Sequence, residues 1–154
     1  MGELRLKRNI QHSLYDYLQD ALDDNWSGIN VVLTWEAAME SARPVVCVLL
    51  ESTESKGKEL GSNNLFETHL IIIDIYAKSS GQALDLADFI KNEVKGGFPY
   101  NVYSHPSGSY ETLEATPTGR VKTLKFLRDE TIDLGENMDE NDLFRHTIAI
   151  TVRV

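Results

Sequence analysis

A single cysteine, Cys47, excludes an internal disulfide, so no covalent staple holds this chain. It sits in an apolar run at residues 45–50 and reads as a small buried hydrophobe. A nucleophilic role would need a nearby base and an electropositive setting, and the local sequence offers neither. Long hydrophobic runs are also missing. The longest, residues 44–50 and 70–73, fall far short of the roughly 20 residues that cross a bilayer. The start Met1-Gly2-Glu3-Leu4-Arg5 lacks the apolar core of a secretory signal, so the expectation is a cytoplasmic protein that meets no membrane. Positive charge is scarce: 15 Lys and Arg stand against 24 Asp and Glu, for a net charge of −9 and a pI near 4.8. Such a surface repels phosphate, and the expectation is weak or undetectable binding to duplex DNA at physiological salt.

Residue patterns that carry chemistry are equally sparse. The four histidines, His12, His69, His105 and His146, are scattered, and none pairs with Cys, His or Glu at metal-ligand spacing. His12 is expected on a solvated helix face, and His146, alternating with core residues, as a hydrogen-bonded, semi-buried ring. The acidic segment at residues 129–142 invites a calcium loop, but its oxygens do not alternate and no glycine sits sixth before a closing glutamate. A solvated hairpin connection fits better. The alternative is that Glu136, Asp139, Glu140 and Asp142 line a channel in an oligomer. Gly96-Gly97 ends a helix rather than cradling phosphate, and Ser104–Ser109 contains no G-x-S-x-G elbow. No cofactor and no catalytic constellation is expected.

What is present is enough for one domain of 154 residues, with 42% hydrophobic and 25% charged residues. Leu6, Ile10, Leu14, Tyr17, Leu18 and Ala21 recur at helical spacing and predict an opening amphipathic helix over residues 6–22. His12, Asp16 and Gln19 fall opposite. A second seam, Leu4, Tyr15 and Leu22, is either a broad core face or a contact with a neighbouring subunit. Strands are expected at residues 30–35, 45–51 and 66–77, the last apolar on both faces at its centre and so mid-sheet. Ser79 and Gln82 mark the start of a second helix that buries Ala83, Leu86, Ala87, Ile90 and Val94 and exposes Asp85 and Asp88. A loop at residues 104–119 precedes a strand, or a bent pair of strands, at 120–134. The chain closes on a clean alternation from Phe144 to Val154. The implied fold is α+β: a largely antiparallel sheet with two helices on one face, in the order α-β-β-β-α-β-β.

Residues 53–64 are polar and hold two glycines, which predicts a mobile loop. Glu54, Lys56, Lys58 and Glu59, with Leu60 and Asn63, suit a contact with a neighbouring subunit or another protein of the assembly; the bland reading is a surface loop without a partner.

Three stretches resemble a known family. Residues 69–77 read like H-x-L-x-[IV]-x-[IV]-[YW]-[AS], with Ile71 at the leucine position, residues 81–90 follow G-x-A-x-x-[IL]-A-[ED]-x-[IV], and residues 144–154 end in alternating aliphatics before Arg153-Val154. In these, and in element order over nearly the whole chain, the protein resembles the tail-terminator or tail-completion proteins of long-tailed double-stranded DNA phages. The loop at 53–64 and the acidic stretch at 137–142 look longer than in that family. The resemblance implies a virion structural protein and not an enzyme: a homo-hexameric ring, assembled in the host cytoplasm, that caps the head-proximal end of the tail tube. Its partners would be the tail tube protein and the head connector or a neck protein, with DNA passing through the lumen unbound. A neck or head-closure subunit is the near alternative. A small-ligand-binding module or an enzyme is the distant one.

Overall fold

The computed structural model describes residues 6–57, 65–104, 114–132 and 143–154. Its elements run α1 (Leu6–Asn25), β1 (Asn30–Val32), α2 (Trp35–Glu40), β2 (Val45–Gly57), β3 (Leu65–Tyr76), α3 (Ser80–Val94), β4 (Phe98–Ser104), β5 (Glu114–Thr131) and β6 (Arg145–Arg153). The strands form one curled sheet in the order β1-β2-β3-β6-β5-β4. All neighbours are antiparallel except β1 and β2. The α+β class expected from the sequence holds, with a mixed sheet and a third helix.

The core forms because three periodicities coincide. Ile10, Leu14, Leu18 and Leu22 make a stripe along α1, each at most 1% exposed. Leu86, Ile90 and Val94 make another along α3. Both meet the sheet face formed by Val46 and Val48 of β2, Ile71, Ile73 and Ile75 of β3, and Ile148, Ile150 and Val152 of β6. Register ties the sheet residues together, since Ile73 faces Val48 on one side and Ile148 on the other. Leu22 therefore belongs to the core, and the broad-face reading replaces a neighbour contact for that residue.

The unforeseen helix α2 lies on the other face. Ala38 packs with Val45, Cys47 and Tyr76, the alternate residues of β2 and β3. Thr34 starts it by accepting from the Ala37 amide at 3.1 Å, which cuts the expected strand at 30–35 down to Asn30–Val32. Cys47 is buried there, and burial pushes its thiol up to about 12.

Polar side chains of α1 do a second job. An edge strand leaves backbone groups unpaired. Along β4 the Asn101 amide donates to Ser13 Oγ (2.9 Å) and the Tyr103 amide to Asn9 Oδ1 (3.2 Å). Along β1 the Val31 amide donates to Gln19 Oε1 (2.9 Å), while Gln19 Nε2 donates to the Ile29 carbonyl (3.0 Å). One helix thus satisfies both margins of the curled sheet. Gln19 and Asp16, expected toward solvent, are engaged: Asp16 accepts from the Tyr103 hydroxyl at 2.5 Å. His12, also expected on a solvated face, is half-buried against Tyr15 and Tyr103.

Helix α3 begins as expected, with Ser79 Oγ accepting from the Gln82 amide at 3.2 Å. It stops at Gly97, whose φ is 87° and where a Cβ would lie 2.1 Å from the Val121 carbonyl oxygen. Only glycine lets the chain turn that close to β5. The expected loops are shorter than read: β2 runs through Gly57 and β5 begins at Glu114.

Ile90 is fully buried while Asp88 is exposed. Ile90→Asp should cost about 4 kcal/mol or more, and Asp88→Ala should stay within about 0.5 kcal/mol, in chemical denaturation. Equal midpoint shifts for the two would contradict this orientation.

Candidate subunit interface

Strand β5 carries the sequence Lys122-Thr123-Leu124-Lys125-Phe126-Leu127-Arg128-Asp129, in which charged and core residues alternate with a period of three. A regular strand has a period of two, so residues three apart would point to opposite faces. Two bulges resolve the conflict. The ladder to β6 skips Leu124, between Thr123 and Lys125, and Leu127, between Phe126 and Arg128. Each inserted residue re-phases the strand. Lys122, Lys125 and Arg128 then pair with Arg153, Thr151 and Ala149 on the face away from α1 and α3. Thr123, Phe126 and Asp129 pair with Val152, Ile150 and Ile148 on the helix face.

The inward set is firmly held. Thr123 Oγ1 donates to the Val94 carbonyl at 2.6 Å, and Lys91 Nζ lies 5.3 Å from the Phe126 ring centre. Lys91 Nζ also donates to Asp129 Oδ2 (2.9 Å), while Asp129 Oδ1 lies 2.6 Å from His146 Nε2. His146 Nδ1 in turn meets Thr131 Oγ1 at 3.2 Å, so the ring is buried and hydrogen-bonded. The His146 hydrogen bond, helped by Lys91 and opposed by burial, holds the Asp129 carboxyl below its ordinary value of 3.8.

The outward set forms a basic strip on an acidic protein. Strands β5 and β6 hold six of the chain's 15 cations, Arg120, Lys122, Lys125, Arg128, Arg145 and Arg153, against three carboxylates, Glu114, Asp129 and Glu130. Arg153 is held over Phe66, 4.8 Å from the ring centre, with Nη2 donating to Thr68 Oγ1 at 3.2 Å. Further along the same face Asp74 is buried; it accepts from Arg145 Nε (3.2 Å) and Nη2 (3.0 Å) and from Thr147 Oγ1 (2.6 Å). The skipped residues Leu124 and Leu127, next in sequence to Lys125 and Arg128, are 48% and 47% exposed. No described strand pairs with the outer edge of residues 122–131. An even acidic surface, the basis for expecting no basic footprint, is thus not what the fold builds.

The residues singled out from sequence fare differently. Glu54 and Lys56 are exposed, 3.8 Å apart on β2, within a ladder to β3 rather than in a loop. Thr53 Oγ1 lies 2.8 Å from His69 Nδ1, which anchors the base of that arm in buried structure. Tyr15 is partly buried and, with His12, Val31 and Thr34, lines an open pocket of about 320 Å3. Leu4, Lys58, Glu59, Leu60, Asn63, Glu136, Asp139, Glu140 and Asp142 lie outside the described residues. The strip escaped the sequence reading because its one signal, cations three apart inside a β-rich run, contradicts strand periodicity unless bulges are assumed.

No protein-family model matches the chain, and no curated protein matches it either.

Because the Asp129 carboxyl is held low, its contribution to stability is present above the ordinary aspartate value and is lost as pH falls through the lowered folded one. Asp129→Asn should melt below the parent at pH 7, with the gap narrowing as pH falls below the ordinary aspartate value of 3.8. A gap unchanged across that range in thermal melts would show that no ionic term is involved.

Proposed function

We propose that this chain is a structural subunit of a long-tailed phage, closing the head-proximal end of the tail tube as a hexameric ring, ending tube growth and meeting the head connector. One observation supports the reading above others. The three stretches that carry the resemblance, residues 69–77, 81–90 and 144–154, pack into one unit: β3 pairs with β6 from His69 to Tyr76, and Leu86 and Ile90 of α3 share a core with Ile73, Ile75, Ile148 and Ile150. A shared packing pattern is what such motifs encode, since they specify burial rather than chemistry. A ring also suits the surface, because exposed leucines on a strand rich in cations suit a contact that closes between copies.

Immunogold electron microscopy of tails isolated without heads tests this. Label at one end of each tube, together with a tube-bound oligomer of six 17.4 kDa chains, about 104 kDa, is the expected result. Label on tailless heads instead would make the chain a neck or head-closure subunit, and label on neither would overturn the virion reading.

A further inference from the structure

The basic strip has a counterpart on the far side of the molecule. On the helical layer, residues 9–25 of α1 contain no Lys or Arg, and neither do residues 79–90. In those stretches Asp20, Asp23 and Asp24 are exposed on α1 and Asp85 and Asp88 on α3. Trp26 meets Phe89 edge-on with ring centres 6.0 Å apart, which brings the two acidic stretches side by side. On α3 itself Leu84, next to Asp85 and one turn from Asp88, is 48% exposed. The molecule therefore shows an exposed leucine beside two carboxylates on its helical layer, and a row of cations on the opposite face of the sheet in a strand that carries two exposed leucines.

We infer that the strip formed by Lys122, Lys125 and Arg128 around Leu124 and Leu127 receives the helical face of a second copy of this chain, centred on Leu84 with Asp85 and Asp88. Charge decides both the occupant and the geometry. Either patch set against itself would bring like charges together, so a two-fold contact through one patch is repulsive. Strip against helices pairs opposite signs and leaves a helical patch free on one copy and a strip free on the other, which is the head-to-tail arrangement a closed ring needs. Nucleic acid is the weaker fit, because a phosphate backbone reaching the strip must approach a chain of net charge −9. The bulges of β5 fit docking by side chains, since an edge interrupted at Leu124 and Leu127 makes a poor template for another strand. This contact rests on the ring reading above and specifies its interface.

Sedimentation velocity of four full-length proteins tests it: the parent, Lys125→Glu with Arg128→Glu, Asp85→Lys with Asp88→Lys, and a chain carrying all four changes. The parent should self-associate, about tenfold more weakly in 0.5 M NaCl than in dilute buffer, where screening is slight. Each double variant should run as a 17.4 kDa monomer. Mixing the two should restore the parent's oligomer, because each then offers what the other needs, and the fourfold variant should assemble alone. Should a reversal unfold in circular dichroism, alanine at the same two positions replaces it, with loss of the oligomer as the expected reading.

A parent that stays monomeric, double variants that assemble like the parent, or a mixture that stays monomeric each overturn the contact. So does loss of duplex DNA binding on Lys125→Glu with Arg128→Glu while assembly persists, which would make the strip a polyanion site. A parent monomeric in solution yet found on tail ends removes this contact and leaves the tail reading. An oligomer that never reaches tails does the reverse.

Discussion

Strand β5 has to satisfy two faces with a sequence whose period is three, and the rest of the surface follows from how it does so. Leu124 and Leu127 are expelled from the ladder, and that expulsion sends Thr123, Phe126 and Asp129 inward to α3 and β6 while Lys122, Lys125 and Arg128 turn outward together. Without the bulges, Lys125 would face the apolar layer, where an uncompensated charge is costly, and Phe126 would face solvent. The inward hydrogen bonds keep the bulges in place. The outward cations and the two leucines are what those bulges leave for another surface to meet.

The helices solve a different problem. A six-stranded curled sheet has two margins whose backbone groups need partners, and α1 supplies them with Asn9 and Ser13 at β4 and Gln19 at β1. Its leucine stripe fills the hollow between those margins. This is why α1 is half-buried around most of its circumference and why residues such as Asp16 and His12 are drawn into contacts. It also concentrates the remaining exposed aspartates at the C-terminal end of α1, beside those of α3. The separation of charge between helical layer and sheet face is thus a by-product of which side chains are needed to close the sheet.

Much of the frame was legible in the sequence. The leucine spacing of α1, the two-sided apolar centre of β3, the Ser79 cap, the Gly96-Gly97 stop and the alternation of β6 each follow from local periodicity or turn chemistry, and local rules operate before tertiary contacts exist. Ile90 inward and Asp88 outward could be read in the same way. Helix α2 was missed because its six residues follow a β-rich run, and only the Thr34 cap separates the two. Residues 53–57 looked like loop because polar residues in a two-stranded arm bury nothing, so neither face carries an apolar signal.

The sequence by itself determined the class of fold, the core stripes and the sign of the net charge, because these depend on composition and on spacing within one element. Where that charge is placed was decided only by tertiary structure. The register of β5 against β6 is a long-range choice made by packing, and a single skipped residue reverses every side chain that follows it. The basic strip, the acidic helical layer opposite it and the exposed leucines in each exist only once that register and the α1–sheet contact are fixed.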